Sequence, residues 1–174
     1  TGLWALSTPE IIYRTQGSLA RLSESPATGV VACTLQNRLC LLPKGAKEEP
    51  ADLPTPGVAV NPVAQSPDGR WVVCASCDQP EEMAYVWDVT ARKLVQRLPE
   101  TRACYMVFSP DSRALYTVSL EGIIAWDVGT WQHRWMRPRV GPIQTHRFPA
   151  LSGDGSLLAV SRHAHGVDLF DPAD

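Results

Sequence analysis

His163-Ala164-His165 is the one His-x-His of the chain. On a strand it would set two imidazoles on one face, half of a metal site. It stands in a turn before Val167-Asp168-Leu169, with no further His or Cys nearby in sequence, so a solvated turn is the favoured reading. Cys74-Ala75-Ser76-Cys77 has the spacing of zinc and thiol redox motifs. Zinc ribbons need a second such pair, and a redox pair needs a helix N-terminus to depress the thiol pKa. Cys74 ends an apolar run with strand character, where residues i and i+3 face opposite ways, so core packing is expected. His133, Arg134, Arg137, Arg139, His146 and Arg147 form a basic stretch, with no acidic residue between Asp127 and Asp154. A charged, edge-protecting strand accounts for it; contact with an acidic partner or a phosphate is the alternative. No nucleophile–His–acid set, phosphate loop or paired general acid and base stands out, so no catalytic residue, metal or cofactor is expected.

Composition bounds the elements that must position these groups. The 174 residues are 44% hydrophobic and 20% charged, which fits a folded domain with a sizeable core. A net charge of −2 argues against a dedicated nucleic-acid binder. No apolar run approaches the ~20 residues of a membrane-spanning helix. Fifteen Pro and twelve Gly leave few windows for helices, so short strands are expected. Cys33, Cys40, Cys74, Cys77 and Cys104 are odd in number, and several sit in apolar runs. They read as buried free thiols of a reducing, cytoplasmic setting. The chain starts at Thr1 rather than at a methionine, so the lack of a leader carries no argument.

Internal repetition gives the architecture. Ser66-Pro67-Asp68-Gly69-Arg70, Ser109-Pro110-Asp111-Ser112-Arg113 and Ser152-Gly153-Asp154-Gly155-Ser156 each precede an apolar run, with the serines 43 residues apart. Ser25-Pro26-Ala27-Thr28-Gly29 is a weaker copy 41 residues before Ser66. In phase with these turns come Trp87-Asp88, Trp126-Asp127 and Phe170-Asp171. Pro pre-sets φ and Asp-Gly supplies a tight reversal. Each copy therefore reads as four strands a to d, with the turn between a and b and the Trp-Asp pair ending c. The recurring Asp88, Asp127 and Asp171, like Asp68, Asp111 and Asp154, are expected to be structural. Ala91–Leu98 carries apolar residues at helical spacing but is short for a helix, and is read as strand d.

These motifs resemble the WD-repeat family, whose units of ~40–45 residues each build a four-stranded blade of a β-propeller. The resemblance implies an all-β propeller segment over residues 1–174. Residues 1–16 would supply strands c and d of a preceding blade; 18–56, 58–99 and 103–138 would be blades, and 144–171 an incomplete one. The Pro- and charge-rich Pro43–Gly57 is expected to be an exposed loop replacing an outer strand. The family's Gly-His pair is missing, so its polar latch is expected to be incomplete, with Ser76 and Ser119 at the strand-b places and Trp87 and Trp126 on strand c.

With a c strand at each end, the chain reads as an arc of a larger ring, whose open edges invite self-association. The function implied is a non-catalytic protein-interaction scaffold, engaging a protein rather than a specific nucleic acid or a membrane. The family's contact face carries the d–a and b–c loops, which implicates Arg102, Arg139, Asp78, Glu82, Glu121 and His163. The alternative is a sensor or regulatory propeller domain of an enzyme with a polar site at the axis; the largely apolar a strands count against it.

Overall fold

The computed structural model describes residues 2–4, 11–14, 19–35, 38–43, 50–54, 60–76, 83–99, 101, 105–119, 122–138, 148–161 and 166–173. Among them the regular structure is all strand. A hairpin of β1 (Gly2–Trp4) and β2 (Ile11–Arg14) comes first. Three four-stranded antiparallel meanders follow. The first holds β3 (Leu19–Glu24), β4 (Val31–Leu35), β5 (Arg38–Leu42) and β6 (Ala51–Leu53). The second holds β7 (Val60–Gln65), β8 (Trp71–Ser76), β9 (Ala84–Asp88) and β10 (Lys93–Leu98). The third holds β11 (Tyr105–Phe108), β12 (Ala114–Val118), β13 (Gly122–Asp127) and β14 (His133–Pro138). A three-stranded sheet of β15 (Pro149–Leu151), β16 (Leu158–Ser161) and β17 (Val167–Phe170) closes the series.

The sheets stack face to face in chain order, and their first strands β3, β7, β11 and β15 lie side by side. Strand alternation makes each sheet serve two cores. On β8, Val72 and Cys74 pack with Ala32, Leu39, Leu41 and Leu53 of the first sheet. Trp71, Val73 and Ala75 of the same strand pack with Leu115, Ile124 and Trp126 of the third. Ala114, Tyr116 and Val118 then meet Leu158, Val160 and Phe170 of the fourth. Trp87 and Trp126 are fully buried at matching places in successive cores. Removing either ring to the Cβ would cost roughly 3–5 kcal/mol.

One expectation is corrected here, and the reading of Ala91–Leu98 as strand d holds as β10. The Pro43–Gly57 segment does not replace the outer strand, because Ala51–Leu53 pairs with Leu39–Leu41 as β6. Burial of Leu53 in the core and the Arg38–Asp52 ion pair at 2.6 Å hold that short strand in place. The helical spacing within Ala91–Leu98 arises from a β-bulge between Leu94 and Gln96, which leaves Val95 without a register partner and exposed. An equivalent bulge lies opposite Ala125 and Trp126, where Arg134 is skipped between His133 and Trp135.

Candidate functional site

The two ends of the sheets differ in chemistry. One end carries the Ser-x-Asp turns. Ser66, Ser109 and Ser152 each donate from Oγ to the Oδ1 of the aspartate two residues on, at 2.5–2.6 Å. The same aspartates accept the backbone N–H of Arg70, Arg113 and Ser156, at 3.0 Å in each case. Each serine oxygen also accepts the N–H that opens the next strand, from Trp71, Ala114 and Leu157. Hydrogen bonds to the charged carboxylate favour ionisation. The Ser152 hydroxyl, with the Ser156 N–H and hydroxyl, holds Asp154 at about 2, and Ser109 with the Arg113 N–H lowers Asp111.

The turns also grip their neighbours. Ser25 Oγ donates to the Pro67 carbonyl at 2.8 Å, and the Asp68 N–H donates to Ser112 Oγ at 3.0 Å. The c–d turns share this end. Asp88 accepts the Ala91 N–H at 2.8 Å and lies 3.6 Å from Arg70, while Asp127 is ion-paired with Arg134 on its bulge. Trp131 adopts φ 58° in its turn and meets Trp71 edge to face at 5.3 Å, with the Arg70 guanidinium 4.5 Å from the Trp71 ring centre.

A cleft of about 200 Å³ opens here between Asp111, Tyr116, Arg134 and Asp154. Its carboxylates are committed to turns and Arg134 to Asp127, so the chemistry of this cleft is structural. The described part of the basic stretch is likewise engaged. His133 stands edge-on to Trp126 at 4.2 Å, and Arg137 lies over the Trp135 and Phe170 rings at 5.4 and 5.6 Å. Arg139, His146 and Arg147 lie outside the described residues.

The opposite end carries the d–a and b–c connections. All six residues assigned to partner contact, Arg102, Arg139, Asp78, Glu82, Glu121 and His163, lie outside the described residues, as do Cys77, Cys104, Glu100 and His165. The residues that flank them are described. Thr101 is fully buried, accepts the Ala84 N–H at 2.7 Å and donates to the Leu98 carbonyl at 2.8 Å. Tyr105 and Phe148 have ring centres 4.5 Å apart, and the Phe148 N–H donates to Ser161 Oγ at 2.9 Å. Thr101 thus ties the d–a connection to the second sheet, and Tyr105 with Phe148 and Ser161 ties the start of the third sheet to the fourth. Thr101 carried no motif in the sequence; its only signal was a hydroxyl next to the d–a connection.

The polar latch takes a different form from the expected one. Trp126 Nε1 donates to Thr117 Oγ1 at 2.9 Å, whereas Ser119 Oγ donates to the Gly122 carbonyl at 3.4 Å. Trp87 Nε1 reaches the Pro54 carbonyl beside β6 at 3.0 Å. Ser76 is described in its backbone alone. Counted from the turn serine, the Thr117 position is Cys33, Cys74 and Val160 in the other sheets, so the described hydroxyl latch is built in the third sheet.

No family model matches the chain. It is 31% identical over 119 residues to the centriole proteome protein 16 of Chlamydomonas reinhardtii, covering 67% of this chain and 6% of that protein. It is 28% identical over 114 residues to the U3 small nucleolar RNA-associated protein 4 homolog of Mus musculus, covering 61% of this chain and 17% of that one. The chain thus spans a small part of the length of these relatives. A chain of the mitotic checkpoint complex crystal structure superposes with a TM-score of 0.71 at 17% identity, over 89% of this chain and 47% of that chain. With its in-phase Trp-Asp repeats and stacked antiparallel blades, the chain is a WD40-like β-propeller.

Proposed function

We propose that the chain is a non-catalytic scaffold module that binds a protein partner through the d–a and b–c connections and forms part of a larger propeller. The observation that carries this reading is the division of labour between the two ends. The turn end spends Asp68, Asp88, Asp111, Asp127 and Asp154 on turns and ion pairs, and the connection end is braced by Thr101, Tyr105 and Phe148. Rigid elements that present loops are a common basis for binding. The alternative, a sensor or regulatory domain of an enzyme, is less favoured because β11 turns Met106 and Phe108 into the core. Free thiols at Cys33 and Cys40 support a reducing, cytoplasmic setting.

The fourth sheet supports the larger ring. Val167 and Leu169 are 58% and 62% exposed on the face that matches the buried Ile123 and Ala125 of the third sheet. An open apolar face of this kind favours association with another blade or a second copy. The test is affinity isolation from native extract with the wild-type chain and with a variant carrying alanine at Arg102, Arg139, Asp78, Glu82, Glu121 and His163. A partner retained by the wild type and lost by a variant of unchanged melting temperature supports the reading. Equal recovery by both, or turnover in a hydrolase panel, overturns it.

A further inference from the structure

Cys33 on β4 and Cys40 on β5 are register partners, directly opposite in the antiparallel ladder. Such pairs hold their Cα atoms about 4.5 or 5.5 Å apart, and both values fall inside the range of about 4.4–6.8 Å that a disulfide spans. The two side chains lie in one cluster with Val31, Leu35 and Leu42, on the face of the first sheet turned away from the second. Both are thiols with no exposed surface. Cys40 Sγ also donates to Asp52 Oδ1 at 3.2 Å. Cys74, by contrast, has Val63 and Tyr85 as its register partners.

We propose that Cys33 and Cys40 are a redox site that closes reversibly into a cross-strand disulfide. The oxidant is a small-molecule disulfide of the glutathione class. One protein thiolate attacks a sulfur of the oxidant and expels one small thiol, leaving a mixed disulfide. The second protein thiolate attacks the protein sulfur of that adduct and expels the other small thiol. The protein loses two protons and two electrons, and the oxidant takes them up as two thiols. The Asp52 carboxylate that accepts the Cys40 thiol proton holds Cys40 protonated, which leaves Cys33 as the attacking thiolate.

Access comes through β6. This outer strand is three residues long, and its Asp52 side chain, against Cys40, is 47% exposed. Short edge strands open locally at low cost, and opening β6 uncovers Cys40. A disulfide that opening of β6 exposes to small thiols stays reducible. Closing it removes the thiol hydrogen bond to Asp52, so oxidation loosens the outer strand of this sheet.

The experiment treats the full chain with oxidised glutathione, blocks the remaining thiols and digests the product with trypsin. Cleavage after Arg38 separates the two cysteines into peptides 22–38 and 39–44. The expected result is these two peptides joined by a disulfide, 2 Da lighter than their reduced sum, and released by dithiothreitol. In Cys40→Ser a glutathione adduct should persist on Cys33. Hydrogen exchange at the Asp52 and Leu53 amides should rise on oxidation. Both thiols staying free in mild urea, where β6 opens, or Cys33 joined to a different cysteine, would overturn the site. Unchanged exchange at β6 would overturn its coupling to the outer strand.

Discussion

The backbone N–H of Asp68 donates to the side-chain oxygen of Ser112, 44 residues away, at 3.0 Å. One blade's turn is thereby held by the next blade's turn. Ser112 occupies the slot that is Gly69 and Gly155 in the neighbouring turns, and it adopts φ 61° where they adopt 78° and 75°. A non-glycine residue there carries left-handed strain of about 1–2 kcal/mol. The inter-blade bond contributes about 0.5–1.5 kcal/mol in the other direction. Ser112→Ala keeps the strain and loses the bond, and should lower unfolding stability by roughly 1 kcal/mol. Ser112→Gly loses the bond and sheds the strain, and should lie close to wild type. Urea midpoints of the three proteins decide it; equal losses in both variants would show that the strain is negligible.

Gly69 tests the same interlock from the other side. A Cβ built there would lie 2.6 Å from Thr28 Cγ2 and 2.9 Å from Ser25 Oγ of the preceding turn. Gly129 has a positive φ as well, but nothing lies within 4 Å of its Cβ position. Ala at either site should cost about 1 kcal/mol or more through the backbone alone. Gly69→Ala should be the more damaging, with a melting temperature clearly below that of Gly129→Ala. Matching melting temperatures would mean that the Thr28 side chain swings away freely.

Thr117→Val keeps the shape of the third sheet's core but removes the acceptor of Trp126 Nε1. An orphaned buried donor costs about 1–3 kcal/mol. Ser119→Ala should be milder, because its contact to the Gly122 carbonyl is long, at 3.4 Å. A double-mutant cycle with Trp126→Phe should show coupling to Thr117 and none to Ser119.

The register behind that contrast was not legible in sequence. Thr117 lies on β12 and Ser119 two residues on, just past its end, so period-2 alternation puts both on one face and cannot choose between them. The pairing of Leu115 with Trp126 makes the choice. The four-stranded units and the Trp positions were legible because turn chemistry and apolar runs repeat in phase. The bulge at Val95 was not, since an inserted residue mimics helical spacing. The Cys33–Cys40 pairing was hidden for a related reason: seven residues of separation become a direct contact only in one hairpin register.

Asp154 gives the turns a pH signature. Its folded value of about 2 lies below the usual aspartate value of 3.8. A depressed carboxylate pKa contributes stability above the unfolded pKa, and that contribution is lost as pH falls through the folded value. The relevant window therefore runs from 3.8 down to about 2. Asp111 is shifted in the same direction by Ser109. Ser152→Ala removes the first of the bonds that hold Asp154 down, and should move its carboxyl midpoint up toward 3.8 in a carbon-detected NMR titration. An unmoved midpoint would assign the shift to Ser156 instead.

The fourth sheet supplies the prediction with the largest consequence for assembly. Its inner face is spent on the third sheet through Leu158, Val160 and Phe170. Its outer face sets Leu169 opposite Ala159 and Val167 opposite Ser161. By the repeat, this face is the counterpart of Ala114, Tyr116, Val118, Ile123 and Ala125, all of them buried in the third sheet. An apolar face left in water gains by being covered, at about 25 cal/mol per Å². The isolated chain should therefore show a mass above 19.1 kDa by light scattering, rising with concentration. The double variant Val167→Glu, Leu169→Glu should return it to the monomer mass without lowering its melting temperature, because both side chains are more than half exposed. A wild-type chain that stays monomeric across the concentration range would mean that these two residues are too few to hold a second blade. A double variant that still associates would move the contact to another edge of the arc.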